Sequence, residues 1–166
     1  MKRLLPLLFA LLAVACHQPP VIDATQPQGA DIKENLINAN RVIGQAEDTQ
    51  IRSYAARRGW QPQQCSNGAY LERTRPGSGP LLEDDDTVAL AYRVEALNGS
   101  VLYDGVRDTV VLGQHQPTVG VDAALHGQQR GSTLRLLLPS SLAYGVVGDG
   151  DKVPARTVLV YHISIL

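Results

Sequence analysis

The chain has 166 residues, 44% hydrophobic and 19% charged, with 15 Lys+Arg against 16 Asp+Glu. Those proportions exclude a collagen-like or wholly disordered chain, and they leave room for one domain of roughly 100 residues with extensions. Near balance of charge gives no basic excess to neutralise phosphates, so nucleic-acid binding is not expected. Two cysteines form neither a disulfide framework nor a structural zinc site by themselves.

Lys2 and Arg3 precede an apolar run over residues 4–15. As a helix that run spans about 18 Å, too short to cross a bilayer and suited to a secretory signal. It ends Leu-Ala-Val-Ala at Cys16. This ending resembles the bacterial lipobox, in which the signal peptide (residues 1–15) is removed and the cysteine carries acyl chains, palmitate among them. Several chains together give lasting attachment to a lipid bilayer where one does not. His17, rather than Asp, follows the anchor cysteine, which by the same resemblance points to the outer membrane of the cell envelope. The alternative is a plain secretory signal with an incidental cysteine. Residues 16–30, rich in Pro and Gln, are expected to be a flexible tether. Cys65 is then the one free thiol, read as a small loop residue.

From Asp31 onward Ile32, Leu36, Ala39, Ile43, Ala46, Ile51, Tyr54 and Ala55 recur at mostly three- or four-residue steps. The spacing predicts an amphipathic helix over 31–59, broken or weakened near Gly44 and ended by Gly59 after Arg57 and Arg58. Trp60 is read as packing this helix on its neighbour. From residue 68 the period becomes two. Residues 87–95 place Val88, Leu90, Tyr92 and Val94 on one face; residues 132–138 align Leu134, Leu136 and Leu138; residues 157–166 align Leu159, Tyr161, Ile163 and Ile165. Such alternation marks antiparallel strands with one face buried. Asn98-Gly99 predicts a type I′ hairpin turn, and the acidic run over 83–86 a solvated turn. Residues 119–126 are the one helix-like interval among the strands. One helix can cover the apolar face of one sheet, so the expected class is α+β: a curled antiparallel sheet wrapped around a short helix, over 68–166, preceded by the helical extension. His115, His126 and His162 show no ligand spacing, so neither a metal nor another cofactor is expected.

Particular residues then carry a family resemblance. A strand ending at Pro139, then Ala143-Tyr144-Gly145, Gly148, Val153-Pro154 and a closing alternating strand resemble the C-terminal half of FKBP-type peptidyl-prolyl isomerases. Leu112-Gly113, Gly120 and Gly131 keep that family's spacing. Tyr92, the Asn98-Gly99 turn and Tyr103-Asp104 look like its first long strand and the loop that follows. The helical lead-in further resembles lipoprotein members linked to gliding motility in Bacteroidetes.

The resemblance implies an apolar pocket for the proline of an X-Pro polypeptide, and a non-covalent isomerase that needs no cofactor. Tyr144, Asp104 and Tyr103 would serve catalysis. Tyr92, Val110, Pro117, Thr118, Val153 and Tyr161 would line the pocket over Val121 as its floor. The Thr118 N–H and the Tyr144 hydroxyl would bond the substrate backbone. Rotation about an X-Pro bond faces roughly 18–20 kcal/mol. A site lowers that barrier by desolvating the carbonyl and holding a twisted amide better than a planar one. Departures from the pattern are visible too. Val121 stands in place of a Trp, Asp108 in place of a Phe, Asp149 in place of an aromatic or His, and Pro117-Thr118 in place of Val-Ile. The interval from Gly99 to Tyr103 is one residue longer than usual. A shallower, more polar pocket follows, so a non-catalytic peptide- or protein-binding module of the same fold stays open beside the isomerase, as does a structural lipoprotein in which the helical segment pairs chains.

Overall fold

The computed structural model describes residues 29–166. The signal peptide, the Cys16 lipidation site and all but the last two residues of the expected tether lie outside the described residues.

Helix α1 (Gly29–Arg57) begins within the stretch expected to be tether. It runs unbroken through Gly44, where an added Cβ would meet nothing within 4 Å. A glycine costs an exposed helix only about 1 kcal/mol, too little to interrupt one docked further along. The helix ends as expected. Gly59 takes φ +69°, its N–H reaches Ala56 O at 3.1 Å, and the Trp60 N–H reaches Ala55 O at 3.0 Å. These are the paired bonds of a Schellman cap, which needs a residue that accepts the left-handed region. No helix among the described residues is long and apolar enough to cross a membrane.

Six strands follow: β1 (Gln63–Gln64), β2 (Tyr70–Arg75), β3 (Thr87–Ala96), β4 (Val101–Val111), β5 (Thr133–Leu138) and β6 (Leu159–Ile165), with the short helix α2 (Val119–Leu125) between β4 and β5. They form one sheet in the order β1-β2-β5-β6-β3-β4, every pair antiparallel. A curled antiparallel sheet with one short helix on its inner face, preceded by an N-terminal helix, is the architecture expected.

Period-two alternation builds two cores on the two faces of that sheet. The inner one holds Val88, Leu90 and Val94 of β3, Leu134, Leu136 and Leu138 of β5, and Leu159, Tyr161 and Ile163 of β6, closed by Val121 and Leu125 of α2. The outer one is smaller. Leu137 and Val160, the neighbours of Leu136 and Tyr161 along their strands, meet Ile51 and Tyr54 of α1 there, with Trp60 against them.

Two local expectations need correction. The hairpin between β3 and β4 is not type I′, because Asn98 does not take positive φ while Gly99 does, at +87°. The Gly99 N–H bonds Ala96 O at 2.9 Å and the Ala96 N–H bonds Ser100 O at 2.9 Å. This is a three-residue loop in which an ordinary turn is followed by a left-handed glycine, matching the twist of the strands with only one strained position. The stretch around Tyr103-Asp104, expected to be a loop, is strand throughout. Tyr92 pairs with Val106 and Val94 with Tyr103, so β4 carries an extra residue there; Glu95 then pairs with Val101, which leaves Leu102 as a second extra residue. Two bulges break the alternation by which a strand is read. The additional residue between Gly99 and Tyr103 is absorbed at Leu102, and Tyr103 stays on the inner face opposite Val94.

Candidate functional site

Tyr161 sits at the middle of β6, opposite Leu136 of β5 and Val94 of β3, and is almost fully buried. The ring of Tyr92, one strand away, lies 5.8 Å from it at a tilt of 51°, within the range where aromatic pairs attract beyond their buried area. Tyr144 and Thr118 lie close enough to the Tyr161 phenol to affect its proton affinity. Thr118 caps α2: its Oγ1 accepts the Val121 N–H at 3.3 Å.

Tyr144 comes from the segment between β5 and β6, half-buried just after a 3-10 turn at Ser140–Leu142. Its ring packs on the inner core, as do Tyr92, Tyr103, Leu142 and Ala143. Tyr103 closes the group from β4. Its hydroxyl donates to Asp149 Oδ2 at 2.5 Å, and the Lys152 ammonium lies 4.9 Å from its ring centroid. Asp149 Oδ1 in turn accepts the N–H groups of Asp151 at 2.9 Å and Val153 at 2.8 Å. Sequence reasoning treated Asp149 only as a departure from pattern; here it ties the aromatic wall to the loop over 149–153. A carboxylate two and four residues before free N–H groups is a local turn signal, but its phenol partner lies 46 positions away and gave none.

Burial sets the electrostatics. It pushes the Tyr161 phenol far above its ordinary value, with the nearby Tyr144 adding to the effect, and it pushes Tyr92 up to about 12. The bond to Asp149, helped by burial, raises Tyr103 well beyond the usual phenol range. Burial opposes the Asp149 carboxylate, yet the bonds from Tyr103 and the loop N–H groups outweigh it and hold the carboxyl below 3.8. Tyr92, Tyr103 and Tyr161 are therefore neutral donors and acceptors at every physiological pH, not acids or bases in exchange with solvent.

Of the residues singled out from sequence, Tyr92, Tyr103, Thr118, Tyr144 and Tyr161 come together. Val110, Val121 and Val153 are buried in the same inner core, and Pro117 is half-buried beside Thr118. Asp104 does not join them. Its carboxylate is largely exposed and accepts Arg93 Nη1 at 3.3 Å; Arg93, on the outer side of β3, also bonds Glu95 at 2.8 Å. The bulge opposite Arg93 turns Asp104 toward that side. Asp108 is exposed on β4.

Two further carboxylates support the site and escaped sequence reasoning. Asp122 of α2, buried, accepts the N–H groups of Gly113 at 3.0 Å and His115 at 3.1 Å, which fixes the segment leading to Pro117 and Thr118. Its place in the first turn of α2 was legible, its partners were not. Glu47 of α1, buried, accepts from Ser140; nothing in the helical pattern marked it. A cleft of about 450 Å³ lies between α1 and the Tyr144 segment, lined in part by Ile43, Glu47, Ser140, Gly145 and Arg156.

The tyrosine group thus sets four phenols and one alcohol at one end of the apolar inner core, groups of the kind that could grip a flat, uncharged ligand and bond its edges. Residues 79–166 match the family model described as FKBP-type peptidyl-prolyl cis-trans isomerase. The chain is 31% identical over 104 residues to the FK506-binding protein of Neisseria meningitidis serogroup B, covering 60% of this chain and 94% of that one. It is 36% identical over 55 residues to the peptidyl-prolyl cis-trans isomerase FKBP10 of Homo sapiens, and spans only 10% of that protein's length. A crystal structure of a peptidyl-prolyl cis-trans isomerase from Pseudomonas syringae pv. tomato superposes with a TM-score of 0.63 at 25% identity, covering 76% of this chain and 92% of that one.

Proposed function

This chain belongs to the FKBP-type peptidyl-prolyl cis-trans isomerase family, and from that premise we propose that it isomerises X-Pro bonds of exported polypeptides at the cell envelope. The observation that carries the reading is the convergence of Tyr92, Tyr103, Tyr144 and Tyr161 with Thr118 around one end of the inner core. Tyr92 and Tyr161 would face the proline ring above Val121. The Tyr144 hydroxyl would bond the substrate backbone beside the N–H of Thr118. As the amide twists out of resonance its carbonyl loses polarity, so a water-poor, phenol-walled enclosure favours the twisted form over the planar one. Asp104, paired with Arg93, takes no part in this scheme.

The test is direct. Cis/trans exchange of a short X-Pro peptide, followed by NMR exchange spectroscopy, should accelerate with micromolar full chain in detergent. Tyr144→Phe should lower kcat/KM by about tenfold, the equivalent of one net hydrogen bond of ~1.4 kcal/mol. A wild-type rate equal to buffer would end the proposal. A second reading, peptide capture without catalysis, is favoured by two features: the small Val121 floor, and the Tyr103–Asp149 bond that ties the aromatic wall to the loop over 149–153. It predicts saturable peptide binding with no acceleration.

The membrane setting is proposed on the residues before the fold. A lipid on Cys16, with residues 17–28 as spacer, would hold the domain at an outer-membrane surface in the manner of the lipoprotein members that the helical lead-in resembles. Metabolic labelling with palmitate should mark the wild-type protein and be lost in Cys16→Ala; an unlabelled wild type would defeat the anchor while leaving the isomerase untouched.

A further inference from the structure

Glu47 is buried on the docked part of α1, 93 positions from its partner in sequence. Its Oε2 accepts the Ser140 N–H at 2.9 Å and its Oε1 accepts the Ser140 hydroxyl at 2.6 Å. A buried carboxylate is costly unless strong donors satisfy it, and both donors here come from one residue. Among the described residues no Lys, Arg or His lies within ion-pair distance of it. Glu47 therefore holds Ser140 by charge-assisted hydrogen bonds alone, the stronger kind.

Ser140 is not an arbitrary anchor. Its carbonyl accepts the Ala143 N–H at 3.1 Å and the Gly145 N–H at 2.8 Å, the residues on either side of Tyr144. The Gly145 carbonyl accepts the Arg156 N–H at 2.8 Å, and the Tyr144 carbonyl accepts the Gly148 N–H at 3.2 Å. The backbone around Tyr144 hangs from Ser140, and Ser140 hangs from Glu47. A second tie of α1 behaves differently: Asp48, the next residue, bonds the Tyr70 hydroxyl on β2 and Arg52 on its own helix, far in sequence from the Tyr144 segment.

We infer that Glu47 is a positioning residue of the isomerase site, fixing Tyr144 through Ser140, so that the N-terminal helix is part of the site and not only a spacer. The effect on catalysis rests on the isomerase reading; the effect on Tyr144 does not. A displaced catalytic group loses rate steeply, because small errors of orientation are amplified in the barrier.

The experiment uses the full chain and two readouts, the NMR resonances of Tyr144 with residues 143–145, and the kinetics of X-Pro exchange. Glu47→Ala should shift and broaden the Tyr144 resonances and lower kcat/KM by about tenfold, mainly through kcat. Glu47→Gln keeps an acceptor for the Ser140 N–H and should restore most of both. Asp48→Ala cuts the neighbouring tie and should leave both unchanged, which a helix that merely docks would not allow. Unmoved Tyr144 resonances in Glu47→Ala, or equal disturbance in Asp48→Ala, would overturn the inference. If Glu47→Ala does not fold, Ser140→Ala removes one hydroxyl from the same link and is read by the same criteria. A wild type without isomerase activity whose Tyr144 resonances still move in Glu47→Ala would sink the proposed function and uphold the positioning role.

Discussion

Leu136 and Leu137 are adjacent on β5, both fully buried, and they belong to different cores. Leu136 faces inward, opposite Tyr161 and beneath α2; Leu137 faces outward, opposite Val160 and beneath α1. The inner face is nearly all aliphatic, and the phenols of Tyr92, Tyr103, Tyr144 and Tyr161 gather at one end of it. The outer face mixes apolar contacts with charge. Arg135 lies 3.7 Å over the Trp60 ring and pairs with Glu72 at 2.5 Å, while its Nε and the buried Tyr54 hydroxyl have no hydrogen-bond partner. An orphaned buried polar group costs about 1–3 kcal/mol, so the outer layer is held less economically than the inner. The comparison teaches that one strand's alternation specifies two surfaces of unequal quality: the domain rests on the inner one, and the outer one is where a helix was added.

The largest effect that tests this contrast comes from truncating each leucine. Leu136→Ala should destabilise the protein by about 3–5 kcal/mol, since a cavity walled by α2 and three strands has little room to collapse. Leu137→Ala should cost about 2 kcal/mol, because a single covering helix can settle into the gap. Its distinctive sign should be faster amide exchange in the last two turns of α1, with β3 and β6 still protected. Chemical denaturation with hydrogen exchange separates the two. Equal costs with uniform loss of protection would mean that the faces form one cooperative core.

The same contrast explains what the sequence disclosed. β3, β5 and β6 were legible because one side of each is continuously apolar, and period two is hard to produce by chance over seven residues or more. β4 was not, because bulges at Leu102 and beside Asp104 reset the alternation twice; the same bulge sends Asp104 to Arg93 and away from the place the family pattern gives it. The tyrosines were recognisable through resemblance, and the fold delivers them to one spot because Tyr92 and Tyr161 share the inward phase of neighbouring strands. The contacts that tune the site were invisible for a different reason. Glu47 to Ser140, Tyr103 to Asp149 and Asp122 to the Gly113 segment join carboxylates to donors in other elements, and a lone acidic residue carries no mark of where its partner will lie. Gly44 misled in the opposite direction, since a residue that weakens a helix in isolation does not break one docked by Ile51, Tyr54 and Glu47.

A smaller effect sharpens the comparison through pH. On the inner face Tyr92 is pushed up to about 12, and Tyr103 and Tyr161 lie higher still. Asp149 is held below 3.8, so what its bonds contribute is in place above that pH and is lost as pH falls through its folded value. None of Tyr92, Tyr103, Tyr161 and Asp149 should therefore titrate between roughly pH 6 and 9, and kcat/KM should be flat there. The outer face should respond instead. His162 packs edge-on to Trp60 at 5.9 Å, and burial, opposed by Glu95, lowers its pKa below 6.5. A folded state that disfavours the proton loses stability as pH falls from 6.5 toward that lowered value, because the unfolded chain binds the proton more tightly. The slope is modest, since the imidazole keeps about a third of its surface in water. Thermal unfolding across this window should show a falling Tm that His162→Gln flattens, while exchange rates of the X-Pro peptide stay level in both proteins. A bell-shaped kcat/KM centred near neutrality would place a titrating group among the tyrosines and reverse the assignment of the two faces.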